Sequence, residues 1–223
     1  MVPEVKLVWI TPNCDDVITY CARVSSPKNQ FNKATAPKLL KYLLDHKHVS
    51  PFEMASACME ITTSRDIGRQ ILRHRSFSFQ EFSGRYQVYP KLHPDREARL
   101  QDLKNRQNSL PCPDTWIVNW WRETQEAIAA QSLEAYSKAL EWGIAKEQAR
   151  AILPEGLTPT RMYMSGTIRS WIHYWEVRGD DAQREHRDVA RLTKEVLLKE
   201  TPILRELISP EPPPEAAPQV GTP

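Results

Sequence analysis

Only seven of the 223 residues are glycine. Backbone that turns at positive φ or passes close to a phosphate leans on glycine. The chain is therefore poorly supplied for a fold of many tight turns. Neither G-x-G-x-x-G nor G-x-x-x-x-G-K-[ST] occurs. A nucleotide bound here must be held by side chains or by helix ends. The length suits one large domain with a real core. Charged residues at 26% and hydrophobic ones at 40% are ordinary for a soluble globular chain. A net charge of +2 gives no overall field for nucleic acid or membrane, so only local clusters of Arg are informative.

The cysteines, Cys14, Cys21, Cys58 and Cys112, form no C-x-x-C and none pairs with His at zinc spacing. They are expected to be buried free thiols, with no metal site. The start, Val2-Pro3-Glu4-Val5-Lys6, is not a basic region leading into an apolar run, so no secretory leader is expected. No stretch approaches the roughly 18 apolar residues of a membrane span. A cytoplasmic location follows.

Residues 4–10 are β-branched and apolar and predict a strand. Residues 15–23 predict a short helix capped by Asn13 or Asp15. Thr35-Ala36-Pro37 is a helix start, and Leu39, Leu40, Leu43 and Leu44 form its stripe. Residues 55–63 predict a strand with Ala57, Met59 and Ile61 on one face. Ser64 should cap a helix running through Arg73, which would put Arg69 and Arg73 on one face. Residues 76–80 alternate with period two and predict extended chain. Residues 88–113 are polar and irregular, with a short helix expected over 96–105. A long helix or helix pair is predicted from Asp114 to Leu153, stopped by Pro154. Extended chain over 157–165 leads to Thr167, the cap of a helix bearing Ile168, Trp171, Ile172 and Trp175. Asp180-Asp181 should cap the final helix, with Val189, Leu192, Val196 and Leu197 inward. From residue 209 the chain is Pro-rich and core-free, which predicts a disordered tail (209–223) after one domain (1–208).

The densest polar constellation is residues 73–86, Arg-His-Arg-Ser-Phe-Ser-Phe-Gln-Glu-Phe-Ser-Gly-Arg-Tyr. Arg suits phosphate because its planar fork donates two parallel hydrogen bonds and stays charged. Ser83-Gly84-Arg85 offers a hydroxyl, an unhindered N–H and a guanidinium, a cradle for phosphate. Any single Arg could belong to a solvated turn. For the whole cluster, the three Phe should pull the segment inward, and an inward Arg needs an anionic partner. Glu81 supplies one negative charge.

Arg73-His74-Arg75, seven residues and then Ser83 resembles the signature of the flavin-dependent thymidylate synthases, the ThyX family, continuing as Ser83-Gly84-Arg85-Tyr86. Four further segments resemble family motifs in order: Ala22-Arg23-Val24-Ser25; His48-Val49-Ser50-Pro51-Phe52-Glu53; Leu153-Pro154-Glu155 through Arg161; and Arg169-Ser170-Trp171-Ile172-His173 through Arg178. The motifs run from Ala22 to Arg178, and the resemblance extends over about residues 5–205. The resemblance implies an α+β fold with a mainly antiparallel sheet flanked by helices, assembled as a homotetramer whose sites are shared between subunits. It implies methylation of dUMP to dTMP with FAD, NADPH and 5,10-methylenetetrahydrofolate. Arg73, His74, Arg75, His48, Ser50, Glu81, Arg169 and His173 would meet the flavin; Thr167 stands where some relatives have Asn. Gln70, Arg73, Glu81, Phe82, Ser83, Gly84, Arg85 and Arg161 would bind dUMP. Arg178 would sit against the uracil and favour the N3-deprotonated base. Met54 stands where many relatives have His.

Two rival readings exist. Arg and aromatic residues interleaved over 73–86 could hold single-stranded nucleic acid, whose bases stack on aromatics; the small net charge and dispersed Lys weigh against it. His46-x-His48 is the only close His pair, and H-E-x-x-H is missing, which weighs against a metal hydrolase. His173 between Trp171 and Trp175 could be a core histidine. Ser83 could be a nucleophile, but no neighbouring base is placed to activate it.

Overall fold

The computed structural model describes residues 1–179 and 182–209. In chain order its elements are β1 (Glu4–Ile10), α1 (Cys14–Ala22), α2 (Ala36–Asp45), β2 (Ser56–Ser64), α3 (Arg65–Ile71) and β3 (Ser78–Glu81). Then come β4 (Arg99–Gln101), β5 (Ser109–Pro111), α4 (Thr115–Glu141), α5 (Lys146–Ala149), β6 (Pro159–Thr167), α6 (Ile168–Val177), α7 (Arg184–Lys199) and α8 (Pro202–Ile208). Four strands make an antiparallel sheet in the order β1-β2-β6-β3, and β4-β5 is a separate hairpin.

The period-two patterns explain the sheet. Met59 lies opposite Met164 and Ile61 opposite Met162, and these four with Ala57 are fully buried on one face. Ile18 of α1, Leu40 of α2, Ile67 and Ile71 of α3, Trp171 and Tyr174 of α6, and Val189 and Leu197 of α7 join them in one core. Burying each such apolar side chain contributes about 1.5–3 kcal/mol. The other face carries Cys58 opposite Ser165, Glu60 opposite Tyr163 and Thr62 opposite Arg161. The 27-residue α4 docks by a narrow seam, burying only Gln125, Ala129 and Tyr136 and leaving Trp116, Trp120 and Ile128 exposed.

Capping departs from expectation at several points. Asp114 and Thr167 cap α4 and α6 through Trp116, Ile117 and Ser170 N–H groups. Asn13 stands before α1 without a capping bond. Asp15 accepts instead from Ile203 N at 2.8 Å and so starts α8, a helix the sequence reading did not anticipate. The Thr35 hydroxyl oxygen accepts from Arg23 Nη2 (2.7 Å) rather than capping α2. Ser64 bonds Asp66 and Arg96 rather than the start of α3. The helix expected over 96–105 is the β4-β5 hairpin, where side-chain bonds from Asp102 organise the turn. Asp180 and Asp181, read as caps of α7, and the tail from residue 210 lie outside the described residues.

Cys14 and Cys58 are buried, but Cys21 and Cys112 are half-buried, against the expectation for all four; none is paired with another. Burial, aided by Asp15, pushes the Cys14 thiol up to about 12, an inert thiol. Among the described residues no helix is long and apolar enough to cross a membrane, and no cluster of three His, Cys, Asp or Glu could hold a metal ion.

Candidate active site

The segment between α3 and β3 organises the site. Phe77 is buried, its ring 4.8 Å from Trp171 and packed where a Cβ on Gly166 would stand at 2.4 Å. The phenylalanines do go inward as the pattern requires: Phe79 packs on the main core and Phe82 on the Tyr89–Tyr136 cluster. The arginines do not follow. Arg73, Arg75 and Arg85 are exposed in the turns on either side of β3. Nor do Arg69 and Arg73 share a helix face. α3 ends at Ile71, and Arg73 sits in the turn beyond it. Arg69 instead spans Glu81 (3.4 Å) and Glu155 (3.3 Å), while Glu81 also accepts from the Thr160 hydroxyl at 2.8 Å.

Three groupings emerge. The first is an open cleft of about 490 Å³ between the turn at residues 47–53 and α6. Its apolar wall includes Val49, Phe52 and Ile172, and its polar rim includes Arg169, His173 and Ser76. Arg169 is ion-paired to Glu53. His173 is exposed, with Glu176 at 3.7 Å, so it is not a core histidine. His48 and Ser50 are exposed on the turn that forms this rim. Thr167 spends its hydroxyl oxygen on the Ser170 N–H at 3.2 Å, capping α6.

The second grouping joins α3, α6 and α7. Arg178 Nε donates to His74 Nε2 at 2.8 Å, linking the Arg-His-Arg segment to the end of α6. Because Nε2 accepts, the ring proton sits on Nδ1. Burial, then Arg178 and His173, lower the His74 pKa to about 4, so the ring is neutral at pH 7. Among the described residues both Nη groups of Arg178 lack a partner, and Arg73, Arg75 and Arg161 form no ion pair.

The third is the turn after β3. Ser83 Oγ accepts from Arg85 N at 3.3 Å, and Arg85 faces Glu147 at 3.7 Å. Gly84 is not an open approach. It is buried, and a Cβ there would lie 2.5 Å from the Tyr89 ring. Arg161 is exposed on the uncovered face of β6. Among the described residues no hydrogen bond or ion pair connects Arg85 or Arg161 with Arg73 or Arg178.

A protein-family model described as "Thymidylate synthase complementing protein" matches residues 6–203. A probable flavin-dependent thymidylate synthase from Paramecium bursaria Chlorella virus 1 is 53% identical over 195 residues, 87% of this chain and 90% of that protein. The chain belongs to the flavin-dependent thymidylate synthase family. The family's protein from Synechocystis is 47% identical over 201 residues, 90% of this chain and 92% of its own. The crystal structure of a UMP/dUMP methylase, PolB from Streptomyces cacaoi, bound with 5-Br dUMP superposes with a TM-score of 0.81 at 25% identity, covering 93% and 94% of the two chains.

Against that family background, one set of residues escaped the sequence reading. Tyr174 and His186 are fully buried and hydrogen-bonded at 3.0 Å, and His186 also contacts Gln70 at 3.2 Å. Gln70 bonds Gln183 (2.8 Å), which bonds Glu185 (2.9 Å). Glu185 pairs with Arg96 and Arg99. The signal was available: extending the inward stripe of α7 from Val189 back by three places polar His186 on the core-facing side.

Proposed function

We propose that this chain catalyses the reductive methylation of dUMP to dTMP. The one-carbon unit comes from 5,10-methylenetetrahydrofolate, and the products are dTMP and tetrahydrofolate. FAD, reduced by NADPH, supplies the hydride when bound. Family membership across residues 6–203 supports the reaction. The observation that carries the site is the Arg178–His74 hydrogen bond, which joins two separated segments and, among the described residues, leaves both Nη groups of Arg178 unspent.

The residues fit a flavin. The cleft beside α6 has an apolar wall for a ring system and a rim of mixed charge, where Arg169 pairs with Glu53 and Lys47 with Glu176. Arg73 and Arg75, exposed on the turn that leads to Ser76 of this rim and without an ion pair among the described residues, are the cations proposed for the pyrophosphate. His48, Ser50, Arg73, His74, Arg75, Glu81, Thr167, Arg169 and His173 hold it; Thr167 acts chiefly by starting α6. Neutral His74 keeps its Nδ1–H as a donor, and Arg178, fixed through Nε, aims a permanent cation. Beside the uracil that cation favours the N3-deprotonated base, because a pre-placed charge stabilises an anion without reorganisation cost. Gln70, Arg73, Glu81, Phe82, Ser83, Gly84, Arg85 and Arg161 bind dUMP, with its phosphate at Ser83 and Arg85. Ser83 acts by holding the turn and the phosphate, since its oxygen meets a backbone N–H and no base.

A homotetramer with shared sites is the assembly proposed. Three observations support it: exposed Trp116, Trp120 and Ile128 on α4, a sheet face that among the described residues carries no covering helix, and Arg73, Arg75 and Arg161, which form no ion pair among those residues. The domain is proposed to span residues 1–208 and to act in the cytoplasm, where free thiols such as Cys14 persist.

The test is release of tritium from 5-labelled dUMP by purified protein supplied with FAD, NADPH and methylenetetrahydrofolate. Release with stoichiometric dTMP, dependent on all three, is expected. A yellow, FAD-loaded protein that binds dUMP but releases no tritium would overturn the reading.

A further inference from the structure

The hydrogen-bonded chain from buried Tyr174 to half-buried Glu185 has a direction that one group dictates. Burial pushes the Glu185 carboxyl up. Arg99 leads the groups that outweigh this, and the net shift is downward, so the group is a carboxylate that can only accept. Gln183 must therefore turn its Nε2 towards Glu185, which leaves Oε1 facing Gln70. Gln70 can then donate only through Nε2, so its Oε1 faces His186. His186 must donate through Nδ1–H, and its neutral ring accepts at Nε2 from the Tyr174 hydroxyl. While Glu185 stays ionised the directions follow in this order, and Gln70 is held from two sides: reversing its amide would break both its bond to Gln183 and the bond from His186.

We propose that His186 is a positioning residue for dUMP recognition: its Nδ1–H, with Gln183 opposite, locks the side-chain amide of Gln70 in a single orientation. An amide rotated by 180° presents a donor where an acceptor stood. Gln70 free to flip would spend part of its time offering the nucleotide the wrong edge. In the locked form one N–H and one lone pair of Gln70 stay available, in fixed places. His186 itself is fully buried and touches no open cleft, so it acts only through Gln70. This rests on the proposed role of Gln70 in binding dUMP.

The first measurement is independent of catalysis. Spectra of [15N-His] protein without nucleotide, assigned with the H186N variant, report which ring nitrogen of His186 is protonated. Nδ1–H is expected, and Nε2–H would overturn the proposal. Direct dUMP binding then reads the consequence. The double variant Y174F/H186L removes both buried polar partners together, so no orphan hydroxyl penalises folding. It should keep its flavin absorbance and lose about tenfold in dUMP affinity, the cost of one misdirected hydrogen bond. H186N, whose amide N–H lies near the Nδ1 position, should recover most of that loss. Equal dUMP affinity in Y174F/H186L and the parent would overturn the lock. So would equal losses in H186N and the double variant. A parent with the Nδ1–H tautomer that binds no dUMP would instead sink the thymidylate reading while leaving the locked amide standing.

Discussion

Acidification should unfold this protein through its buried imidazoles before its carboxylates are protonated. His186 is pushed down to about 3 by burial, with Arg178 and His74 adding to the effect. In the unfolded chain it titrates at about 6.5. Between those values the unfolded state binds a proton that the native state refuses, so stability is full above pH 6.5 and is lost as pH falls towards 3. At pH 5 the loss from His186 alone is about 2 kcal/mol. His74, lowered to about 4 first by burial and then by Arg178 and His173, adds in the same direction. Being only half-buried, it adds about 1 kcal/mol after solvent screening. Urea unfolding followed by tryptophan fluorescence, at fixed protein concentration and at pH 7, 6 and 5, measures the sum. Repeating the series with H186N isolates one imidazole, because every other titrating group is common to both proteins. The variant should lose about 2 kcal/mol less than the parent between pH 7 and pH 5. Parallel curves for the two proteins would refute the reasoning.

Arg178→Ala should lower kcat by a factor on the order of 10²–10³ while FAD absorbance is retained; full turnover would remove its assigned role. Ser83→Ala should weaken dUMP binding by about tenfold and leave residual activity. Complete loss of turnover with dUMP affinity intact would indicate a nucleophilic Ser83. Gly84→Ala places a Cβ against the buried Tyr89 ring, and overpacking there should cost about 1–3 kcal/mol. A thermal melt should therefore fall by roughly 2–10 °C, and an unchanged melting temperature would mean Tyr89 can move aside.

Legibility in the sequence followed how local the determining physics is. The alternation in β2 and β6 and the stripes of α2 and α7 depend on neighbours in the chain, and those elements emerge where expected. Asp15 looked like a cap for its own helix because it precedes one. It serves α8, 188 residues away in sequence, and no local pattern encodes that. Arg73 is four residues from Arg69, a spacing that predicts a shared helix face, yet the helix ends two residues before it. In the site, the motif residues were legible from their resemblance to a family. The hydrogen bond of Arg178 to His74 spans 104 residues and required coordinates. Gly84 reads in the sequence as an unhindered N–H; that the place of its missing Cβ is filled by the Tyr89 ring, five residues on, is visible only in the fold.

The segment least readable in the sequence, residues 88–113, turns out to be fastened to the most readable one. Arg96 donates to Ser64 Oγ at 2.9 Å, to Asp66 at 3.0 Å and to Gly156 O at 3.3 Å, and its own carbonyl accepts from Trp121 and Gln125 of α4. Its other nitrogen lies 3.4 Å from Glu185, which Arg99 also holds. Two half-buried guanidinium groups are what allow half-buried Glu185 to remain ionised. Its ionisation in turn gives the Gln183–Gln70–His186 chain its single direction. On the proposed role of Gln70, the hairpin loop would therefore act on nucleotide recognition without bearing a motif. A family signature marks the groups that meet the ligand, whereas the groups that hold them in register need only supply charge at the right place. Such positions can be filled from a segment with no recognisable pattern, provided it can reach.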